Sequence, residues 1–219
     1  MNQRARTALV LATGLQRLVE LRISSRNRAR LGRAEQASPA TYPAMVAAHV
    51  ALFAVSSWPR SGRRVSRSME VAALAGLAAS AGLRLWVIRT LGASWNVTAH
   101  VPPDGRIETG GPYRYVRHPN YVAVALEFAC LPIAVGACPE AVVLSLADAA
   151  VLAPRIRAEE RLLDAIPGYR EAFRGVPRFI PRPGRRSRQI PASDSQSRVV
   201  RSRNVRYPQL MATSLPNAR

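Results

Sequence analysis

The sequence predicts an all-α fold: a multi-pass α-helical membrane protein with about five membrane helices, the last two a helical hairpin. Three observations carry that prediction. Apolar stretches recur along the first 180 or so residues, Arg residues crowd between them, and a dense polar motif at 110–120 opens straight into the longest apolar run. Charge kept out of apolar blocks and piled at their edges suits an anionic lipid surface better than a nucleic-acid groove, despite a net charge of +19. No Lys occurs among the basic residues. Electrostatics does not require that, and a genome-wide codon bias explains it. The mean hydropathy of -0.05 is low for a membrane protein because the last part of the chain is polar and Arg-rich.

In chain order, Ala8–Ile23 reads as a first helix, interrupted by Gln16, Arg17 and Glu20 and so amphipathic or packed against other helices. Glu20 and Arg22 follow its apolar part where a cleavable signal would need small residues. Arg22–Arg33 reads as a basic loop facing anionic headgroups on the cytoplasmic side. Tyr42–Trp58 is apolar but falls short of the ~20 residues of a straight span. The Arg60–Arg67 cluster separates it from Met69–Leu91, which is long enough to cross, with Arg84 and Arg89 placed to snorkel. Gly92–Arg117 is the longest polar connection within the apolar region. Tyr121–Arg155 is too long for one span, and Gly136 with Pro139 divides it into a hairpin. Ala158–Ala172 reads as an amphipathic helix broken at Pro167-Gly168, and Phe179-Ile180-Pro181 closes the ordered part. Residues 182–219 read as an Arg-rich disordered tail. A soluble all-α bundle is the plainer alternative; the almost polar-free stretch Tyr121–Ile133 speaks for the membrane.

The chemistry gathers at the start of the hairpin. His118 and Tyr121 are three apart and share a helix face, while Pro119 suits a first turn. The free N–H groups and positive dipole end there suit an anion, such as the carboxylate of an amino-acid-like cofactor. An interfacial belt of Tyr, Arg and His is the structural alternative. Arg155 and Glu159 stand at i,i+4 with Arg157 and Glu160 beside them. Exposed, such a pair adds only a few tenths of a kcal/mol. Near an apolar boundary Glu159 needs a partner, either a ligand cation or a solvated ion pair. Asp148 is an acid inside the hairpin, open to a site role or to pairing with a neighbouring Arg. Cys130 and Cys138 match neither zinc nor CxxC spacing, and His49 and His100 lack metal-spaced neighbours, so no metal site is expected. Gly110-Gly111-Pro112 does not match GxGxxG, which disfavours a Rossmann methyltransferase.

The stretch Gly111-Pro-Tyr-Arg-Tyr-Val-Arg-His-Pro-Asn-Tyr121 resembles the G-x-Y-x-x-x-R-H-P-x-Y signature of the isoprenylcysteine carboxyl methyltransferase family and the related phospholipid methyltransferases. Arg155-Ile-Arg-Ala-Glu-Glu160, Tyr169, Phe173, Arg178-Phe-Ile-Pro181, Leu83-Arg-Leu-Trp86, Gly92 and Trp95-Asn96 extend the likeness over roughly Leu15 to Pro181. The chain departs from it at Gln16-Arg17-Leu18, where bacterial members carry Glu-Arg-Leu.

The resemblance implies an integral membrane domain over 1–181, with its cofactor and catalytic part at about 92–181, that uses S-adenosylmethionine. By position, Tyr113, His118, Pro119, Asn120 and Tyr121 match its cofactor contacts, as do Gly105, Arg106, Ile107 and Glu108 through backbone groups. Glu159 matches the acidic cofactor residue and Arg155 the substrate-side arginine; Arg155 and His118 are the catalytic candidates. The expected reaction methylates a carboxylate or hydroxyl of a lipophilic, isoprenoid- or polyketide-like molecule. A carboxylate needs only a cation such as Arg155, whereas a phenol or enol needs a base, for which His118 is nearest. The expected partners are that small molecule and membrane lipids, with no nucleic acid and no obligate protein. The 92–117 connection and the C-terminal part are expected on one side, the cytoplasmic one, which puts Arg60–Arg67 outward against the positive-inside tendency. Two rivals stand beside this reading. An NADPH-dependent sterol-reductase-type enzyme would turn Arg114 and Arg117 to a 2′-phosphate. A non-catalytic protein binding anionic lipid through its tail would leave 111–121 unexplained.

Overall fold

A computed structural model describes residues 1–31, 41–59, 65–97 and 107–181. Gly105, Arg106, most of the Arg60–Arg67 cluster and the 182–219 tail lie outside the described residues. Within them the chain forms α1 (Gln3–Leu31), α2 (Tyr42–Ser57), α3 (Arg67–Leu91), α4 (Pro119–Ala134), α5 (Cys138–Asp164) and a single turn, α6 (Tyr169–Ala172). Short 3-10 turns sit at Gly92–Ser94 and Gly111–Arg114. No strand occurs among the described residues.

The helix ends follow local chemistry. Ser66 caps α3, its hydroxyl accepting the Met69 N–H at 3.3 Å, and Glu70 in the first turn faces the positive end of the dipole. Pro119 opens α4 where its missing N–H costs nothing. Gly136, at φ 90, turns the chain after α4, the Ala137 N–H returns to Pro132 O at 2.7 Å, and Pro139 starts α5. The N-terminal Tyr121 of α4 meets Glu159 near the C-terminal end of α5, so the two helices run antiparallel as a hairpin. Their apolar faces meet α2 and α3 in a core around Leu52, Leu77, Phe128, Leu131 and Leu152. Small residues bring α3 against α4: a methyl group on Gly76 would overlap Cys130 Sγ.

Three expectations are corrected. The basic segment from Arg22 is not a loop, because α1 continues through it to Leu31. That last part of α1 has its own partners. Asn27 donates to Gly92 O (3.1 Å) and Trp95 O (2.7 Å), and Ser24 bonds the Asn96 side chain at 2.8 Å and accepts the Val97 N–H at 3.1 Å. Second, Ala158 does not begin a separate helix: α5 runs unbroken to Asp164, and the chain turns only at Pro167-Gly168, where Gly168 has φ 85. Third, Arg84 does not snorkel. It is 2% exposed, with its Nε 3.3 Å from Glu20 and its Nη2 3.6 Å from Glu127.

Arg84 belongs to a four-charge cluster across three helices. Arg17 of α1 bridges Glu20 at 2.8 Å and pairs with Glu127 of α4, its Nε donating at 2.9 Å. Gln16 completes the shell by donating to Glu20 at 2.8 Å. Two guanidinium groups against two carboxylates make the cluster neutral, which is the condition for burying it.

The span count is narrower than expected. Among the described residues one helix, Arg67–Ser94 with its terminal turn, is long and apolar enough to cross a membrane. α2 and α4 are apolar but 16 residues each, short of the ~20 of a straight span. α1 and α5 are long but carry charges along their length.

Glu127→Gln would leave Arg17 and Arg84 facing one carboxylate, and the folded state should lose about 3–5 kcal/mol. A fall in the thermal midpoint of the detergent-purified protein checks this; an unchanged midpoint would mean the cluster contributes nothing. Gly92 (φ 52) and Gly111 (φ 51) both occupy left-handed backbone, but only at Gly111 would a Cβ also run into the Thr90 side chain. Gly92→Ala should therefore cost about 1–2 kcal/mol and Gly111→Ala clearly more, read in the same melts.

Candidate active site

The polar connection after α3 returns to the helices at one place. The Gly111–Arg114 turn leads to the Arg117 N–H, which donates to Pro177 O at 2.8 Å, and the His118 N–H, which donates to Arg178 O at 3.0 Å. The start of α4 is thus strapped to the segment after α6, and both lie at the end of the hairpin where α5 finishes. The His118 N–H, expected free for an anion, is already engaged. Pro119 has no N–H, so the Asn120 and Tyr121 amides are the first-turn donors that remain.

Two side-chain groups meet at this end. In the first, the Tyr121 hydroxyl donates to Glu159 Oε2 and accepts from Arg155 Nε at 3.1 Å. Arg155, 2% exposed, also donates from Nη2 to Val97 O at 2.7 Å. Its hydrogen-bond partners are therefore two neutral oxygens, and no carboxylate among the described residues pairs with it directly. In the second group, Glu160 Oε1 accepts from His118 Nε2 at 3.1 Å and from Arg178 Nε at 2.8 Å. A carboxylate only accepts, so Nε2 carries the hydrogen and Nδ1 is the other nitrogen of the ring. The His118 ring lies between Tyr121 and Phe179, with both centroid distances 5.7 Å. Neighbouring residues on a helix point about 100° apart, which is why Glu159 and Glu160 take different partners.

An aromatic floor adjoins the first group. Tyr169, Phe173 and Val176 are buried together, with Ile107, Tyr113, Leu163 and Ile166 packed on them. Burial, and then the Glu159 and Glu108 carboxylates, push the Tyr113 phenol far above its ordinary range. Burial likewise raises Tyr169, to about 12. At neutral pH both stay protonated donors.

The remaining expected residues scatter. Asn120 turns to the core, its Oδ1 accepting from Arg84 at 3.2 Å. Pro119 is fully buried and acts through the backbone. Glu108 is exposed and accepts the Gly110 N–H at 2.6 Å. Asp148, 2% exposed, has an Oδ1 without a hydrogen-bond partner. Two participants escape sequence reasoning, the paired carboxylate Glu160 and the Val97 carbonyl. Glu160 lies 42 residues from His118, beyond any helical-neighbour rule; the Arg178-Phe-Ile-Pro run was its one visible trace.

Comparison with known proteins falls on this region. Residues 72–165 match the model of the isoprenylcysteine carboxyl methyltransferase (ICMT) family. An uncharacterized protein, YpbQ, of Bacillus subtilis (strain 168) is 37% identical over 81 residues, which is 37% of this chain and 48% of that relative. The matched stretch thus spans about half the relative's length. The matched residues run from α3 to the end of α5 and contain Tyr113, His118, Tyr121, Arg155 and Glu159. Through residues 72–165 the chain belongs to the isoprenylcysteine carboxyl methyltransferase family.

Proposed function

We propose that the chain is a multi-pass membrane methyltransferase that binds S-adenosylmethionine and methylates a carboxylate or hydroxyl of a lipophilic molecule, its site at the cytoplasmic face. The observation that carries this reading is Arg155. A guanidinium 2% exposed, bonded to the Tyr121 hydroxyl and the Val97 carbonyl, has no direct counter-ion. An uncompensated buried cation is strongly unfavourable, and an anionic ligand group would offset that. Glu159 reaches Arg155 only through the Tyr121 hydroxyl.

The donor set suits the cofactor. The Asn120 and Tyr121 amides at the start of α4 favour a carboxylate. Glu159 can accept from an ammonium or ribose hydroxyl, and the Tyr113–Tyr169–Phe173 floor offers an aromatic surface for a purine. S-adenosylmethionine, when bound, supplies an electrophilic methyl group on a sulfonium. The protein's part is alignment and removal of water. An ionised carboxylate acceptor needs no base, so Arg155 has only to orient it. A hydroxyl acceptor must lose a proton, and His118, held at Nε2 by Glu160, leaves Nδ1 to take it. In this reading α2 and α4 accompany α3 in the bilayer, with local thinning accommodating their 16-residue lengths.

Calorimetric titration of the detergent-purified protein should show binding of S-adenosylmethionine and none of NADPH. Glu159→Gln should weaken that binding about tenfold or more, the worth of a charge-assisted hydrogen bond. NADPH binding alone would move the chain to the reductase class, and binding of neither would return it to the non-catalytic one. Arg155→Met should keep cofactor affinity within about threefold, since a ligand anion and not the cofactor is its assigned partner. It should lower methyl transfer to a lipophilic carboxylic acid by about a hundredfold. Equal losses of cofactor binding in both variants would undo the division of roles.

A further inference from the structure

One polar group in the hairpin has no role in the site described so far, the carboxyl of Asp148. It sits on α5 at 2% exposure, and its Oδ1 makes no hydrogen bond. The Arg17–Glu20–Arg84–Glu127 cluster is electrically near it. That cluster, however, is already balanced, two cations against two anions, so Asp148 is not needed there as a counter-ion. Asp148 also lines a groove of about 700 Å³ between α4 and α5, whose walls include Ala125, Leu152 and Ile156. Arg157, Glu160 and Arg178 line the same groove. With α5 rising ~1.5 Å per residue, Asp148 lies ~14 Å along the helix from the level of Arg157.

An acyl chain lying in this groove would cover Asp148 with hydrocarbon and leave its oxygen unpartnered, which is unfavourable. A ligand whose hydroxyl reaches that depth satisfies it. We infer that the groove binds an elongated lipophile with an acidic group at the Arg157–Arg178 end and a hydroxyl near the other, whose hydrogen Asp148 accepts. As a statement about the methyl acceptor this rests on the methyltransferase reading; as a statement about the groove it stands on the unpartnered carboxyl and the cavity.

The test uses the full chain in detergent, without cofactor, titrated with ω-hydroxylaurate and with laurate, two chains of equal length that differ in the terminal hydroxyl. Wild-type protein should bind the hydroxylated chain about five- to tenfold more tightly, the worth of one hydrogen bond. Asp148→Leu should abolish that preference and leave laurate binding no weaker. Asp148→Asn, which keeps an acceptor oxygen, should retain it, and this variant keeps the test informative if the Leu protein fails to fold. Equal affinities in the wild type, or a preference that survives in a folded Asp148→Leu protein, would overturn the inference. So would a groove that takes neither probe and retains only co-purified lipid. S-adenosylmethionine takes no part in this titration, so a failure to bind the cofactor would sink the methyltransferase reading and leave the groove result standing.

Discussion

The structure depends on a buried, neutral set of charges: Arg17 and Glu20 on α1, Arg84 on α3 and Glu127 on α4. Removing ions from water is so unfavourable that such groups are stable only when each finds its opposite at close range. Here every member is shared. Glu20 meets Arg17 and Arg84, and Glu127 meets the same two cations. No helix can slide or rotate far without leaving a charge alone, so the cluster sets register as well as proximity. Its influence reaches the site through one atom, since Arg84 Nη1 donates to Asn120 Oδ1 in the first turn of α4. The residue that looks most like part of the binding motif is thereby an anchor between core and site.

The site itself is assembled from segments far apart in sequence. The end of α1 holds residues 92–97 through Ser24 and Asn27, Val97 then accepts from Arg155, and the segment after α6 takes the two backbone donors of residues 117 and 118. Each contact closes a different loop of chain. That explains the long first helix: its last turns hold the polar connection in place rather than face solvent.

The sequence showed well whatever is local. Gly136 and Pro139 mark the hairpin because a left-handed turn and a missing N–H act within a few residues. The 111–121 motif stands out because so much polar chemistry precedes an apolar run. Hydropathy misleads wherever a charge has a distant partner. Arg84 reads as a snorkelling residue only until Glu127, on the neighbouring helix α4, is brought against it. Arg22–Arg33 likewise reads as a loop because charge density, and not Asn27's two carbonyl partners, is what the row of letters displays. At the site, the i,i+4 rule correctly groups Arg155 with Glu159 on one face. It cannot show that Tyr121 stands between them, and it separates Glu160 from its partner 42 residues away.

The position of Tyr121 bears on how one site can hold a cation and an anion without letting them cancel. Had Arg155 and Glu159 paired directly, each would have satisfied the other, and a ligand would have had to break a strong interaction before binding either. With the phenol between them, Glu159 accepts from a neutral donor and Arg155 donates to a neutral acceptor. Both charges keep unused capacity, Glu159 toward a donor-rich ligand and Arg155 toward an anion. Buried at 8% exposure and three residues beyond His118 on the first turn of α4, the ring is fixed by the same helix start that supplies the two remaining backbone donors. A polar spacer of that kind has little value to stability, because it leaves Arg155 short of a counter-ion. Its value lies in keeping the two ends of a reaction, a donor-rich cofactor and an acidic acceptor, on opposite sides of a single hydroxyl.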